Sequence, residues 1–289
     1  MHFNFEFSAA QVLWTLTFAA LLVLLVVLLG RDRVRRFPWF TASIALMGVL
    51  LLTTQVLLSK MSRFTGTEVF LVLSNLEVVV SLLVLVELAR RSFRAMSRLG
   101  WIVGTLAVVA VGAAVLVFWG HWPAWKTLTA ASELATIRLM DLAVDKGILF
   151  SSVATVELGL LITLLGRRFG AGWHSHAQRI AIGLSTAALA QLTLRASLQA
   201  IGTQTHIHTQ ADYERVMDLR EKLIHGNNAI YLGVLAWFIA SMWFDEPGTA
   251  STTEAETETA EGEASPAEAP EAADESESHP ENAGTDFHN

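Results

Sequence analysis

Three ionisable residues lie inside long apolar stretches of this 289-residue chain, and their surroundings make them the first candidates for chemistry. Glu77 and Glu157 interrupt two such stretches, and Arg195 interrupts a third. An ionised side chain near the middle of a bilayer costs on the order of 3 kcal/mol, so such residues are commonly retained to bind a partner, an ion or a proton. We therefore predict that these positions belong to a functional site.

Depth along the predicted helices indicates which of them can meet. Counted from the ends of their apolar stretches, Glu77 and Arg195 lie within about one helical turn of the same level. Each also belongs to a row of polar residues at i, i+3 or i+4 spacing, which places the row on one side of a helix. The neighbouring polar residues that complete the predicted ligand or proton site are Asn75, Gln191, Gln199 and Tyr231, with Gln55, Asn227 and Asn228 at similar or shallower depth. The prediction is a polar pocket, open to the outside, in which Glu77, Glu157 and Arg195 converge.

Two other interpretations of the same residues stay open. In the first, they only join helices through hydrogen bonds worth about 0.6 kcal/mol each on average. In the second, they face lipid, and the long Arg195 side chain extends toward the headgroups. A buried glutamate is also a natural proton carrier, which adds proton-coupled transport to the possible functions.

A second candidate site consists of three histidines and one aspartate, namely His206, His208, Asp212 and His225. Imidazole and carboxylate groups are common ligands of zinc and related metals. The signal is weak, because a His-x-His pair presents both rings to one side only in a strand, and no strand is predicted here. Surface histidines are the favoured interpretation, and no cofactor is predicted.

Missing residues and motifs exclude several kinds of chemistry. The chain has no cysteine, which rules out disulfides, thiolate zinc sites and iron–sulfur clusters. It also lacks the Gly-x-Ser-x-Gly, His-Glu-x-x-His and phosphate-loop motifs of common enzymes. We therefore predict a protein that is not an enzyme.

The elements that must position these residues are seven apolar stretches, each close to the roughly 20 residues that cross a bilayer core. Hydrophobic residues make up 53% of the chain, well above the usual share in a soluble domain. None of the stretches alternates in polarity as a membrane strand would. The predicted fold class is all-α, a polytopic membrane bundle of seven transmembrane helices at about 9–29, 38–59, 69–88, 101–119, 146–166, 180–201 and 229–244.

Arginines predict the orientation, because loops that stay in the cytoplasm carry the excess of positive charge. The connections after the first, third and fifth stretches are basic, and the other connections are balanced or poorer in positive charge. The basic connections contain Arg31, Arg33, Arg35, Arg36, Arg90, Arg91, Arg94, Arg98, Arg167, Arg168 and Arg179. The N-terminus is predicted outside and the C-terminus in the cytoplasm.

Two outer connections have the pattern of amphipathic helices. The segment at about 127–145 has polar residues on one side of a helix, and it is predicted to be an interfacial helix or an outward extension of the fifth span. The segment at about 210–225 opens with Thr209 and Asp212 as a capping box, and Gly226 is its predicted end. Such a helix is suited to cover the bundle as a lid.

The charges of the chain divide at residue 244. Residues 1–244 hold all 20 Lys and Arg residues and 13 acids, whereas 245–289 hold 14 acids and no Lys or Arg. The second segment has almost no apolar residues with which to form a core, so it is predicted to be a disordered acidic cytoplasmic tail. The expected partners are the lipid bilayer and a cytoplasmic signalling protein that contacts the basic loops or the tail, and no nucleic acid.

These features predict a non-enzymatic sensor or solute-binding component with an outward-facing polar pocket, located in a bacterial cytoplasmic membrane. The alternative is a small proton- or ion-coupled transporter or a channel subunit. A third possibility is a metal-dependent, lipid-modifying membrane enzyme that uses the histidine group.

Overall fold

The computed structural model describes residues 9–57, 60, 62–93, 97–119, 122–123, 133–165, 175–204 and 209–244. These ranges contain helices and no strand, and seven helices are long and apolar enough to cross a membrane. The predicted all-α membrane bundle is confirmed, and the protein is an integral membrane protein. The predicted tail at 245–289 lies outside the described residues. The helices are α1 (Ala9–Gly30), the short α2 (Arg33–Arg36), α3 (Pro38–Leu52) with a π-helical continuation (Thr53–Leu57), α4 (Arg63–Ser92), α5 (Arg98–Phe118), α6 (Glu133–Leu165), α7 (His176–Gln204) and α8 (Gln210–Trp243).

Six of the spanning helices form a closed ring, in the order α1, α3, α4, α6, α7, α8 and back to α1. Helix α5 stands outside this ring and packs mainly on α6. A glycine permits that contact, because a Cβ at Gly112 would meet the ring of Phe150 at 2.6 Å. Gly112 is the buried residue of α5. The rest of α5 presents apolar side chains outward, as expected for a helix in contact with lipid.

One end of the bundle is rich in arginines, and we call it the basic end. There α1 and α8 finish together, with the guanidinium of Arg31 5.5 Å from the ring centre of Trp243. Arg91 lies 4.7 Å from the ring centre of Phe37, near the start of α3. Helices α1, α4, α6 and α8 begin at the opposite end. Which end faces the cytoplasm stays a prediction.

The tightest packing lies in the half of the bundle next to the basic end. All six ring helices contribute to it, and Leu24, Phe40 and Leu235 have no exposed surface. Phe40 and Phe238 meet edge to face, with ring centres 5.2 Å apart. Gly183 of α7 lets Phe238 approach closely, because a Cβ there would lie 2.7 Å from its Cζ atom. This half is therefore packed as closely as a typical protein interior.

The start of α3 is capped by a buried carboxylate from another helix, which was not among the predicted residues. Glu87 of α4 is 8% exposed, and its Oε2 accepts a hydrogen bond from the backbone N–H of Phe40 at 3.1 Å. Its Oε1 lies 3.7 Å from Nη2 of Arg91. Phe37, which precedes the helix, supplies no side-chain cap, so Glu87 satisfies the helix start from a neighbouring helix. The i, i+4 spacing of Glu87 and Arg91 was the available sequence signal.

The described parts of the two amphipathic segments belong to longer helices. Helix α6 is continuous from residue 133 to 165, so the segment joins the fifth span from residue 133 onward, and its outward direction stays a prediction. Helix α8 likewise continues through Gly226, so the predicted end at Gly226 is wrong and no separate lid helix forms. A glycine inside a helix costs only about 1 kcal/mol, which the continuous helix outweighs. The predicted capping box is confirmed, since the Thr209 hydroxyl accepts a hydrogen bond from the Asp212 N–H at 3.2 Å.

Candidate functional site

Arg195 pairs with an acid on α6 and not with Glu77. Its Nη2 forms an ion pair with Oδ1 of Asp145, and its Nη1 donates to the Asp145 carbonyl at 3.2 Å. The predicted similarity in depth of Glu77 and Arg195 nevertheless agrees with the structure. Val78 packs against Gly147, which brings Glu77 close to the level of Asp145, the partner of Arg195. Helix α6 lies between α4 and α7 in the ring, which puts an acid of α6 within reach of Arg195 first.

Glu157 does not join Glu77 or Arg195. It follows Thr155, which lines a cavity inside the ring, by two residues and therefore points about 200° away from it. It follows Phe150 by seven residues, or about two turns, and so shares the face of α6 that contacts Gly112 of α5. Its Oε1 is shielded from solvent and has no hydrogen-bond partner within the described ranges. A role for Glu157 in binding a ligand or a proton stays a prediction, but it would be a separate site.

Glu77 lies in the wall between two cavities inside the ring. The larger cavity, of about 820 Å³, is bounded by α1, α3, α4, α6 and α8. The smaller and more enclosed cavity, of about 300 Å³, lies between α3, α4, α6, α7 and α8. Four side chains border both cavities: Met47, Glu77, Ile148 and Tyr231. The Tyr231 hydroxyl donates a hydrogen bond to Sδ of Met47, which joins α8 to α3 within this shared wall.

Hydroxyl and amide groups dominate the polar lining of both cavities. The π-helical turn at the end of α3 contributes Thr54 and Gln55 to the larger one, a use of π-turns that is frequent at functional sites. The row of polar residues that the i, i+3 and i+7 spacing predicts around Glu77 consists of Ser74, Glu77 and Ser81, and it lines the cavities. The other polar residues of the larger cavity are Gln11, Thr17, His225 and Asn228, and those of the smaller cavity are Ser43, Ser151, Ser152, Thr155, Gln191 and Asn227.

The remaining predicted residues divide between the cavities and helix contacts. Gln191 and Tyr231 line the smaller cavity together with Glu77. Asn75 instead donates to the carbonyl of Leu71 at 2.8 Å and to that of Met140 at 3.4 Å, which connects α4 to α6. Gln199 accepts a hydrogen bond from Nε1 of Trp119 at 2.9 Å. For Asn75 and Gln199, the structure therefore agrees with the interpretation as interhelical hydrogen bonding.

Charge is distributed unevenly around these cavities. Of the residues described, Glu77 is the one carboxylate that lines either cavity, and no lysine or arginine lines them. The nearby cations are engaged elsewhere. Arg195 is held by Asp145, and Nζ of Lys146 donates to the carbonyl of Trp119 at 3.0 Å and lies 4.7 Å from the ring centre of Trp122. Within the described part of the chain, no lysine, arginine or histidine forms an ion pair with Glu77, and the imidazole of His225 is the one group on these walls that can carry a positive charge.

The four residues of the predicted metal group cannot all bind one ion. Asp212 and His225 lie on the same helix, thirteen residues and therefore about 20 Å apart. Asp212 takes part in the capping box at the start of α8, whereas His225 lines the larger cavity. His206 and His208 lie outside the described residues. In the ranges that the structure describes, no three His, Cys, Asp or Glu side chains form a group that could hold a metal ion.

Compared with known proteins, the chain matches no protein-family model, no curated protein and no solved structure. The geometry of the two cavities is therefore the basis for a functional hypothesis.

Proposed function

We propose that this integral membrane protein binds a small polar solute in the cavities around Glu77 and acts as a non-enzymatic sensor or solute-binding component. The observation that supports this function is the position of Glu77, which borders two cavities at once and is the one carboxylate among the described residues that line them. Retaining a carboxylate at this depth is costly unless it binds something. Cavities of about 300 and 820 Å³ are also within the usual size range of small-molecule sites.

The larger cavity supports access from the end of the bundle opposite the basic end. Its lining includes Gln11, near the start of α1, and Gln55, in the π-helical turn that ends α3. The positive-inside rule predicts that this end lies outside the cell. We therefore include in the proposal an outward-facing pocket in a bacterial cytoplasmic membrane.

A route from binding to signalling follows from the arrangement of helices. The shared wall contains the contact between Tyr231 of α8 and Met47 of α3, so a solute in either cavity would touch both helices. A solute that fits one arrangement of these helices better than another would shift the population toward it. The same helices continue to the basic end, where a cytoplasmic partner would detect the change.

A small proton- or ion-coupled transporter is the second candidate, because two cavities separated by one carboxylate also resemble a pathway with a binding site along it. Reconstituted protein distinguishes the two functions. A transporter should move solute or protons across proteoliposomes, and Glu77→Gln should abolish that flux. A sensor should bind its solute without any flux.

Thiol labelling tests whether solutes reach the cavity. The natural chain has no cysteine, so every introduced thiol is unique. Ser74→Cys places a thiol in the larger cavity, at a side chain only 4% exposed. Val79→Cys is the matched control on α4, because Val79 is 53% exposed but points about 200° away from Glu77, toward lipid.

We expect a neutral, water-soluble maleimide to label Ser74→Cys in proteoliposomes at least about tenfold faster than Val79→Cys, because thiolates do not form in hydrocarbon. Equal rates, or faster labelling of Val79→Cys, would show that solutes do not enter the cavity from water. In that case the proposed function would be wrong.

A further inference from the structure

We infer that the solute is a small organic monocation whose ammonium group pairs with the carboxylate of Glu77. This inference rests on the function proposed above and adds the charge and chemical class of the ligand.

The charge of the cavity walls favours a cationic ligand. Glu77 is the one carboxylate and no lysine or arginine borders either cavity, as judged from the described residues. Asp145 already neutralises Arg195, and Lys146 is held by Trp119 and Trp122. A ligand with one positive charge would supply the missing counter-charge, whereas an anion would be repelled in this low-dielectric setting.

The volumes of the two cavities favour an organic ligand over a metal ion. A hard metal ion such as calcium needs six or more oxygen ligands at about 2.3–2.6 Å. Volumes of about 300 and 820 Å³ are far larger than such a ligand shell, and no metal-binding group of three acidic or histidine side chains exists in the described ranges. These cavities instead match the size of organic ligands.

The side chains in the cavity walls offer two kinds of contact to an organic cation. In the smaller cavity, Ser81, Ser151 and Ser152 offer hydroxyl oxygens that can accept hydrogen bonds from an ammonium group. In the larger cavity, Trp14 and Tyr231 offer aromatic rings. Aromatic faces attract cations, and they also pack against hydrocarbon. The walls therefore suit a molecule with one ammonium group and an apolar part.

Three probes of nearly equal size separate charge from shape: 2-phenylethylammonium, 3-phenylpropanoate and 3-phenylpropan-1-ol. Their binding to the purified full-length protein in lipid nanodiscs can be measured by calorimetry. We expect the cation to bind at least about tenfold more tightly than the neutral alcohol, and the anion not to bind. Glu77→Gln should remove the preference for the cation. Glu157→Gln, the same change at a half-buried position on the face of α6 toward α5, should leave that preference intact.

A second measurement does not require a stable Glu77 variant. Ser74→Cys can be modified with two methanethiosulfonates of similar size, one carrying trimethylammonium and one carrying sulfonate. Relative to Ser62→Cys, an exposed position outside the cavities, we expect the cationic reagent to be favoured by about tenfold or more.

The outcomes also separate this inference from the proposed function. Equal or tighter binding of the alcohol or the anion would overturn the charge class but leave a solute-binding cavity. Absence of binding by all three probes, with no cationic preference at Ser74→Cys, would overturn this inference, whereas the proposed function would be overturned only if the neutral maleimide also labels Ser74→Cys no faster than Val79→Cys. A cationic preference at Ser74→Cys that Glu77→Gln removes would support the inference even if 2-phenylethylammonium binds weakly.

Discussion

Arg195 of α7 is paired with Asp145 of α6, and this pairing leaves Glu77, at almost the same depth on α4, without an ion-pair partner among the described residues. The ion pair is partly exposed, with 30% of the Arg195 side chain and 49% of the Asp145 side chain accessible. Its main consequence is therefore positional, because it holds the guanidinium against α6, and Arg195 is not among the described residues that line either cavity.

A double-mutant cycle can establish which acid Arg195 contacts. Arg195→Gln and Asp145→Asn should show a coupling of about 0.5–1 kcal/mol in the free energy of unfolding, the value typical of a partly exposed pair. Arg195→Gln and Glu77→Gln should show no coupling within error. Stability in detergent provides the measurement. Coupling to Glu77 and not to Asp145 would contradict the arrangement described here.

Packing between α7 and α8 can be tested at two glycines. Gly183→Ala should lower the free energy of unfolding by about 1–3 kcal/mol, because the new methyl group would displace the buried ring of Phe238. Gly233→Ala on α8 is the matched control, since nothing lies within 4 Å of its added Cβ. We expect the control to be neutral or slightly stabilising. Equal effects in thermal unfolding would show that α7 and α8 do not meet closely at Gly183.

We expect the carboxylate of Glu87 to stabilise the folded state, because it accepts a hydrogen bond from Phe40 and contacts Arg91. Glu87→Ala would leave the N–H of Phe40 buried without an acceptor, at a cost of about 1–3 kcal/mol. Glu87→Gln retains an acceptor oxygen and should lose less. Glu68→Ala, at an exposed position on the same helix, should have little effect. If Glu68→Ala were as damaging as Glu87→Ala in denaturation experiments, the cap would not be a stabilising contact.

Membrane orientation can be tested with two equivalent serines. Ser62 caps the start of α4 at the opposite end, and Ser97 caps the start of α5 at the basic end. Both are exposed, so Ser62→Cys and Ser97→Cys lose the same kind of cap. With a membrane-impermeant maleimide on intact cells, we expect labelling at Ser62→Cys and none at Ser97→Cys. After the membrane is permeabilised, Ser97→Cys should be labelled as well. The reverse pattern would invert the predicted topology.

Most of the fold could be predicted from the sequence, because the length and polarity of a membrane span depend on local composition. Each of the seven apolar stretches became a helix, and the Thr209–Asp212 capping box is present. Boundaries were less predictable. Helix α8 continues through Gly226 because packing against the neighbouring helices stabilises it. The local sequence around a glycine contains no information about that packing.

The sequence alone determined which residues are costly in a bilayer and their depth, because residue type and the rise of 1.5 Å per residue are local properties. Only the tertiary structure decided which of those residues meet. That depends on the order of helices around the ring and on the rotation of each helix about its axis, neither of which follows from depth. The order put Asp145 beside Arg195, and the rotation of α6 turned Glu157 toward α5, so among the described residues Glu77 is the one carboxylate that lines the cavities.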